Sequence, residues 1–505
     1  MNEQNILPTP LLAVVTLALA LATFMQVLDT TIANVSIPAI AGNLGVSPQQ
    51  GTWVITAFAA SNAIAMPLTG WLAKRFGEVR LFVASTLLFA LSSMMCGLSP
   101  TYELLIASRI LQGAVAAPMM PLSQSLLLAN YPDHKKGLAL AFWAMTATVG
   151  PIAGPLLGGY ITDNFSWSWI FYINVPIGFI SAFLVWQMLR HKETDRTKFP
   201  IDYVGLGLLI LGVGALQIML DKGNDLDWFE SNTIIILGIV ALITIIFFIV
   251  WELYDENPVI DLSLFKNRNF TVGTVSIALG YAVFLGGGVV FPLWLQTQLG
   301  YTAFWAGFAS AAVGIFAFLL SPVVGNNLHR LNLRLLVSIS FVIFATSYFW
   351  MADFTTGIDI KAASLPRLWM GVGMAMFFVP LTTIIISDIK PNRIASAMGV
   401  VNFLRILGGG FGTSIAVNIW SSRSDFHHAV YSEHITRFSH TAQYFSDALT
   451  HVTAVPFVYI NHIVDQQAST RANDDILLVS GYIFLALIAL VWLAKPPFMK
   501  VHVKK

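Results

Sequence analysis

Residues 11–29 read LLAVVTLALALATFMQVLD. The run from Leu11 to Leu28 is mostly apolar and long enough for a helix to cross the ~30 Å hydrocarbon core of a bilayer. It closes on a carboxylate, Asp29, the only charged side chain between Glu3 and Lys74. An acid in a lipid-spanning segment is costly unless it pairs, takes up a proton or faces water. Asp can also cap a helix N-terminus, but here an uninterrupted helical run precedes it. Asp29 is therefore read as a proton-handling group.

Working outward, the same pattern recurs. Of 505 residues 56% are hydrophobic and 10% charged, against about 25% charged in soluble domains. Apolar stretches near 20 residues repeat along the chain, which indicates a polytopic membrane protein. The net charge of +1 gives no support to nucleic-acid binding. The single cysteine, Cys96, cannot form an internal disulfide. The first residues carry no basic region or small-residue cleavage signal, so the first apolar run is expected to remain as helix 1.

Fourteen spans are expected, from 11–33 to 476–494. With a cytoplasmic N-terminus, nineteen of the 27 Lys and Arg residues fall on the side of the termini. Six fall opposite (Lys222, Lys361, Arg367, Arg423, Arg437, Arg471), and Arg109 and Arg405 lie within spans. Both termini are expected in the cytoplasm. Pro67-Leu68-Thr69-Gly70 followed by Arg75 matches Pro322-Val323-Val324-Gly325 followed by Arg330, 255 positions later. This suggests parallel repeats of six helices, with residues 1–200 and 266–505 as the two bundles and 201–265 as two inserted linker helices. The long hydrophilic segment 421–475 holds six of the ten histidines, His427, His428, His434, His440, His451 and His462, without zinc-motif spacing. It reads as an outward-facing, partly helical hairpin and a surface for a partner.

Within the spans, the fifth reads Gly150-Pro151-Ile152-Ala153-Gly154-Pro155-Leu156-Leu157-Gly158-Gly159. Glycines 150, 154 and 158 share a face that lets a neighbouring helix approach, and the prolines bend the helix. The segment can seal or rock, although close packing alone would need the same residues. After helix 2, Gly70, Lys74, Arg75, Gly77 and Arg80 form a short basic loop that can meet carboxylates or helix C-termini, or simply set topology. Arg109, with Gln112 and Gly113 beyond it, lies at a depth similar to Asp29, so the two can pair. A static buried ion pair is the bland alternative. Gln26 sits one turn before Asp29 and is a candidate for the substrate or proton path. Arg405, near Asn402, is a second intramembrane cation with no acid in its own span, expected to meet backbone carbonyls or another partner. Gln112, Tyr281, Met374, Phe377, Asn402 and Arg405 are candidates for an interior cavity, because methionine and aromatic faces accommodate varied apolar ligands. Each aromatic or methionine taken singly is more often packing. No phosphate-binding glycine loop, nucleophile elbow or His-Glu-x-x-His occurs, which leaves ATP-driven transport and membrane hydrolysis without support.

The chain resembles the major facilitator superfamily, in particular the fourteen-helix drug:proton antiporters of the EmrB type. The resemblance runs over nearly the whole chain. It rests on Ala22 to Asp29 and on through Asn34 to Pro38, on Arg109-Ile110-Leu111-Gln112-Gly113, on the Gly/Pro run of span five, and on Trp167-Ser168-Trp169-Ile170-Phe171-Tyr172-Ile173-Asn174-Val175-Pro176-Ile177-Gly178. One departure is Lys74, where the wider superfamily usually has Asp; it fits the EmrB-like branch and removes a charge-relay role from that loop. The resemblance implies an all-α major facilitator fold of fourteen helices (6 + 2 + 6) in a bacterial inner membrane. It implies a non-enzymatic antiporter that exports hydrophobic or amphipathic toxicants against a proton gradient, with no cofactor. It further implies a periplasmic adaptor of the EmrA type and an outer-membrane channel of the TolC type as partners, with the 421–475 segment as the adaptor contact. Export of fatty acids, proton-coupled import of an amphipathic nutrient, and a lipid-modifying enzyme lacking any visible nucleophile are the competing readings.

Overall fold

The computed structural model describes residues 9–131, 136–194, 196, 200–255, 258–328, 331–390, 393–433, 435, 439–440, 443–444, 456–496 and 498. These residues are helical throughout, with no strand among them. Thirteen helices among them are long and apolar enough to cross a membrane. A further 29-residue helix, Lys136–Asn164, stands where the fifth span is expected. In chain order they are α1 (Thr9–Ile32), α2 (Pro48–Phe76), α3 (Glu78–Gly97), α4 (Tyr102–Asn130), α5 (Lys136–Asn164), α6 (Trp169–Lys192) and α7 (Tyr203–Lys222). Then follow α8 (Asn232–Tyr254), α9 (Arg268–Thr297), α10 (Ala303–Asn327), α11 (Leu333–Met351), α12 (Ile360–Ile386), α13 (Ile394–Glu433) and α14 (Pro456–Trp492).

Polar side chains mark where helices begin. Ser47 and Gln50 form a capping box at α2; Thr101, Asp202, Asn267 and Asp359 accept from backbone N–H groups at α4, α7, α9 and α12. Each satisfies a donor that a helix start leaves open. Proline interrupts the ladders locally: α2 tightens into a 3-10 turn at Met66–Leu68 around Pro67, and α4 breaks just before Met119, at Pro118. α5 runs through positions 151 and 155 without interruption.

Close helix approaches are set by glycine and repeat along the chain. A methyl group on Gly113 of α4 would stand 2.4 Å from the Phe58 carbonyl of α2. On Gly371 of α12 it would stand 2.3 Å from the Val313 carbonyl of α10. The glycines are 258 positions apart and the carbonyls 255, the offset already seen between the Pro-x-x-Gly segments. Likewise Gly150 and Gly154 of α5 press on Val27 and Thr31 of α1, and Gly408 and Gly412 of α13 press on Ala278 and Ala282 of α9. Such contacts allow backbone-to-backbone packing without hydrophobic driving force in lipid. Arg330, part of the sequence match, lies outside the described residues.

α7 and α8 pack on each other. Only 17% of the apolar window of α8 is buried, against 61% for α2, so α8 is the lipid-facing member of the pair. Asp261, between α8 and α9, pairs with Arg393 between α12 and α13. Burial alone would push its carboxyl up, but hydrogen bonds from Ser263 and the Arg393 guanidinium hold it below the usual range.

The segment 421–475 is mostly two helical extensions: α13 continues to Glu433 and α14 begins at Pro456. This agrees with the partly helical hairpin read from the sequence, and its side chains pair between the two helices. Arg423 and His427 donate to Asp475 at 2.8 Å, and Trp420 donates to the Ser469 carbonyl. His428 lies 3.3 Å from Asp465, while His434 and His451 lie outside the described residues. Arg367, assigned above to the exposed outer side, is inside α12 and only 3% exposed.

Gly113→Leu is expected to lower stability by about 1–3 kcal/mol, because the Phe58 backbone cannot retreat far. Gly70→Ala, whose side chain would enter open space, is expected to be near neutral. Thermal unfolding of the purified protein in detergent distinguishes the two.

Candidate functional site

Asp29 and Arg109 meet inside the first six helices. Arg109 Nη1 donates to Asp29 Oδ2 at 2.6 Å, with the two residues 1% and 0% exposed. Gln112 Nε2 and Asn174 Nδ2 donate to Oδ1 at 3.1 and 2.8 Å. Every group directed at the carboxylate is an N–H donor, the complement of its ionised form. The guanidinium is held in turn. Its Nε donates to the Val54 carbonyl at 2.8 Å, Nη1 to Gln112 Oε1 at 2.7 Å, and its carbon stands 4.4 Å from the Phe58 ring centroid. Asn174 Nδ2 also donates to Ser93 Oγ, and Ser93 donates to the Phe171 carbonyl. α1, α2, α3, α4 and α6 thus converge on one carboxyl group. Such a pair in a dry interior stands only with its remaining hydrogen-bonding capacity filled.

The expected pairing is present, and its setting corrects one assignment. Gln112 does not line a cavity: it is fully buried and bonded to both ions. Gln26 is 5% exposed, and its side-chain oxygen has no partner; it lies beside the network without joining it. Asn174 and Ser93 were not singled out from sequence. Asn174 does stand in the Trp167–Gly178 segment, the one signal that could have found it.

The last six helices hold a counterpart without the acid. Arg109-x-x-Gln112-Gly113 recurs as Arg367-x-x-Met370-Gly371, 258 positions later. Arg367 is buried, but its Nη1 meets the Met370 sulfur at 3.8 Å, its carbon lies 5.3 Å from the Phe291 ring, and its Nε has no partner. The α1–α5 and α9–α13 contacts place Gly280 where Asp29 would be, and a methyl group there would stand 2.9 Å from the Phe377 ring. Phe377 is therefore not a cavity residue. It is 1% exposed, packed against Phe341, Phe344 and Phe378, and fills the space of the missing carboxylate.

The other cavity candidates form a half-buried group. Arg405 of α13 lies 5.3 Å from the Tyr281 ring and 5.6 Å from the Phe378 ring, and its Nε is unpaired. Of the two expectations above, backbone carbonyls or another partner, it meets the second: aromatic faces. Tyr281, Met374 and Asn402 are likewise partly exposed. Among the described residues no carboxylate stands within ion-pair distance of Arg405.

α5 is wedged between the two sets of helices. Gly150, Gly154 and Gly158 face α1, whereas Gly159 faces the Ala303 carbonyl of α10, and the Pro155 carbonyl lies against Gly307. The Pro151 side chain lies outside the described residues. At the end of α5, Asp163 accepts from the Ala303 and Phe304 N–H groups at 3.2 and 2.8 Å, capping α10. This contact closes the face opposite the termini. At the terminal face, Gly77 turns the chain between α2 and α3 with φ +92°, and Glu193 accepts from the Val79 and Arg80 N–H groups at 3.0 Å. Arg80 is 3.9 Å from that carboxylate, Lys74 and Arg75 are exposed in the last turn of α2, and Gly70 faces open space. The carboxylate partner of the basic loop is thus Glu193 for Arg80.

Arg109→Met would leave Asp29 sealed with two amide donors, and a loss of about 3–5 kcal/mol is expected. Adding Asn at position 29 should recover part of it. The midpoint of thermal unfolding measures both; a wild-type midpoint for Arg109→Met contradicts this account.

Comparison with known proteins adds independent findings. The sequence profile described as Major Facilitator Superfamily matches residues 19–413. The chain is 51% identical to the fatty acid resistance protein FarB of Neisseria gonorrhoeae, over 96% of this chain and 97% of FarB. It is 51% identical to the multidrug export protein EmrB of Escherichia coli K12, over 99% of this chain and 98% of EmrB. EmrB of Haemophilus influenzae is 49% identical over 97% of each chain. Among solved structures, a bacterial homologue of the human lysosomal transporter Spinster, inward-facing and occupied, aligns with a TM-score of 0.65 at 14% identity, over 96% of this chain and 97% of that one. A peptide transporter in complex with sulfate gives 0.63 at 16% identity, over 95% and 96%. At such identities these two speak for the fold alone.

Proposed function

The chain belongs to the Major Facilitator Superfamily, and on that premise we propose that it is a proton-coupled exporter of hydrophobic and amphipathic toxic compounds across the bacterial inner membrane. The names of its half-identical relatives support multidrug efflux. The observation that carries proton coupling is Asp29, a carboxylate wholly buried within the first six helices and met by N–H donors.

The mechanism follows from the two forms of that carboxyl. Ionised, Asp29 holds Arg109, Gln112 and Asn174 and so ties α1 to α4 and α6. A proton arriving at Asp29 removes the charge that Arg109 neutralises and weakens the charge-assisted bonds. α1 then moves against α5 along the Gly150, Gly154 and Gly158 face, where Val27, Thr31 and Ile32 of α1 pack directly on the glycines. α5 carries that movement to α10 through Pro155 and Gly159. The face opposite the termini opens, cargo leaves, and proton release on the terminal side resets the pair. With the termini cytoplasmic, the direction is export. The coupling is a difference in affinity between two states, as alternating access requires.

Arg405, Tyr281, Phe378, Met374 and Asn402 provide a cargo surface of one cation among soft and aromatic groups. The unpaired cation favours cargo with an anionic head, which also accommodates fatty acids, the substrate that the name of FarB suggests. A periplasmic adaptor and an outer-membrane channel complete the export path; the extensions of α13 and α14 are the adaptor contact in this reading.

Asp29→Asn is expected to insert and fold but to abolish proton-coupled export in everted vesicles; normal export by that variant defeats the assignment. Arg405→Leu is expected to raise the apparent KM for a fatty-acid cargo about tenfold, the equivalent of ~1.4 kcal/mol, and to leave a neutral cargo unaffected. Equal changes for both cargoes would remove Arg405 from head-group recognition.

A further inference from the structure

The inserted helix α7 ends in a second carboxylate that joins the two sets of helices. Asp221 Oδ2 accepts from Thr56 Oγ1 of α2 at 2.8 Å. Its Oδ1 accepts from Gln217 Nε2 at 2.9 Å and from Ser414 Oγ of α13 at 2.5 Å. Gln217 also donates to Ser414. Around this centre Asn418 of α13 donates to the Leu220 carbonyl, Asn224 donates to the Asn418 carbonyl at 2.9 Å, and Gln50 donates to Asp225 at 3.0 Å. A polar cleft of about 180 Å³ opens here, lined by Gln49, Trp53, Asp221, Asp225, Asn418 and Ser421. It lies on the face opposite the termini, where α2 begins and α7 ends.

We propose that Asp221 is a second proton-binding site of this transporter, reached from that cleft, and that its ionised carboxylate latches the face shut. The inference rests on alternating access but not on Asp29. Asp221 has three donors on three helices, two of them from opposite sets of six. Water in the cleft delivers a proton to one carboxylate oxygen. The O–H bond formed there neutralises the acid and turns one of its oxygens into a donor, so the bonds from Thr56, Gln217 and Ser414 lose their charged acceptor. The charge-assisted bonds, roughly twice as strong as neutral ones, are lost together, and α2 separates from α13. The two inserted helices then have a mechanical role: α8 meets lipid, and α7 presents the latch.

The other charged and titratable groups around the cleft are few. Asp225 is bonded to Gln50, Lys222 lies 5.7 Å above the Trp53 ring, and the Tyr102 hydroxyl of α4 donates to the Gln50 carbonyl. Asp163, on the same face, caps α10 and does not touch Asp221.

The test is a distance across that face in the full-length protein reconstituted in nanodiscs. Gly42→Cys, where a side chain enters open space, and Asp425→Cys, exposed on α13, carry spin labels. The native thiol, Cys96, is buried. Lowering the pH from about 7.5 to about 3 is expected to lengthen the separation in one carboxylate step. Asp221→Asn is expected to make the separation independent of pH. Ser414→Ala removes a donor that favours the ionised form and is expected to move the midpoint up by about one pH unit; it carries the test if Asp221→Asn fails to insert. Asp163→Asn should leave the midpoint in place, and Asp29→Asn should lose export while keeping the step. A pH response in Asp221→Asn like that of the wild type, an unmoved midpoint in Ser414→Ala, or a step that vanishes only with Asp29 or Asp163 overturns the proposal and leaves the role of Asp29 standing.

Discussion

One ion pair constrains the rest of this molecule. A carboxylate in the membrane interior must have a cation and donors, or it will not stay there ionised. Asp29 takes them from α4 and α6, and Arg109 is itself fixed by a carbonyl of α2 and by aromatic rings. The requirement to satisfy this carboxylate brings α4 and α6 against α1. In the proposed coupling, a single proton changes what all of these groups are bonded to.

Close approach without side chains is the second constraint. α5 touches α1 through one glycine face and α10 through Gly159 and Pro155. A helix packed this closely on both sides transmits small displacements, because close-packed contacts have little room to absorb them. The equivalent α9–α13 contact uses the same spacing, yet the acid is replaced by Gly280 and the Phe377 ring. The repeat is thus preserved in packing and broken in chemistry. One half retains both ions, and the other retains only Arg367 among soft and aromatic neighbours.

Closure of the face opposite the termini uses polar contacts that water can compete for. Asp163 caps a helix of the opposite set, and Asp221 collects donors from both sets. These interactions differ from the buried pair in kind. They lie at the edge of the protein, beside a cleft, and can be exchanged for hydration at modest cost. In the proposed mechanism, a deep pair that stores the charge state and a shallow contact that holds the gate divide the work between depths of the same scaffold.

The sequence alone determined the membrane class and the number of helices, and it singled out Asp29 and Arg109 as residues that can pair, because apolar length and an isolated charge in lipid are local properties. The repeat was legible in Pro67, Gly70 and their counterparts. Only the tertiary structure decided what each intramembrane polar group meets. Gln112 became a ligand of the ion pair, Asn174 arrived from α6, Phe377 sank into the core, and Arg367 moved from the expected surface into α12. Helix composition does not state which face turns inward when lipid and core are equally apolar. The polar stretch 421–475 was legible as a partly helical hairpin, but not the pairing of its charges across two helices. Spacing in one dimension fixes which residues lie on a helix, whereas the partner of a buried donor or acceptor is fixed by other helices, far away in the chain.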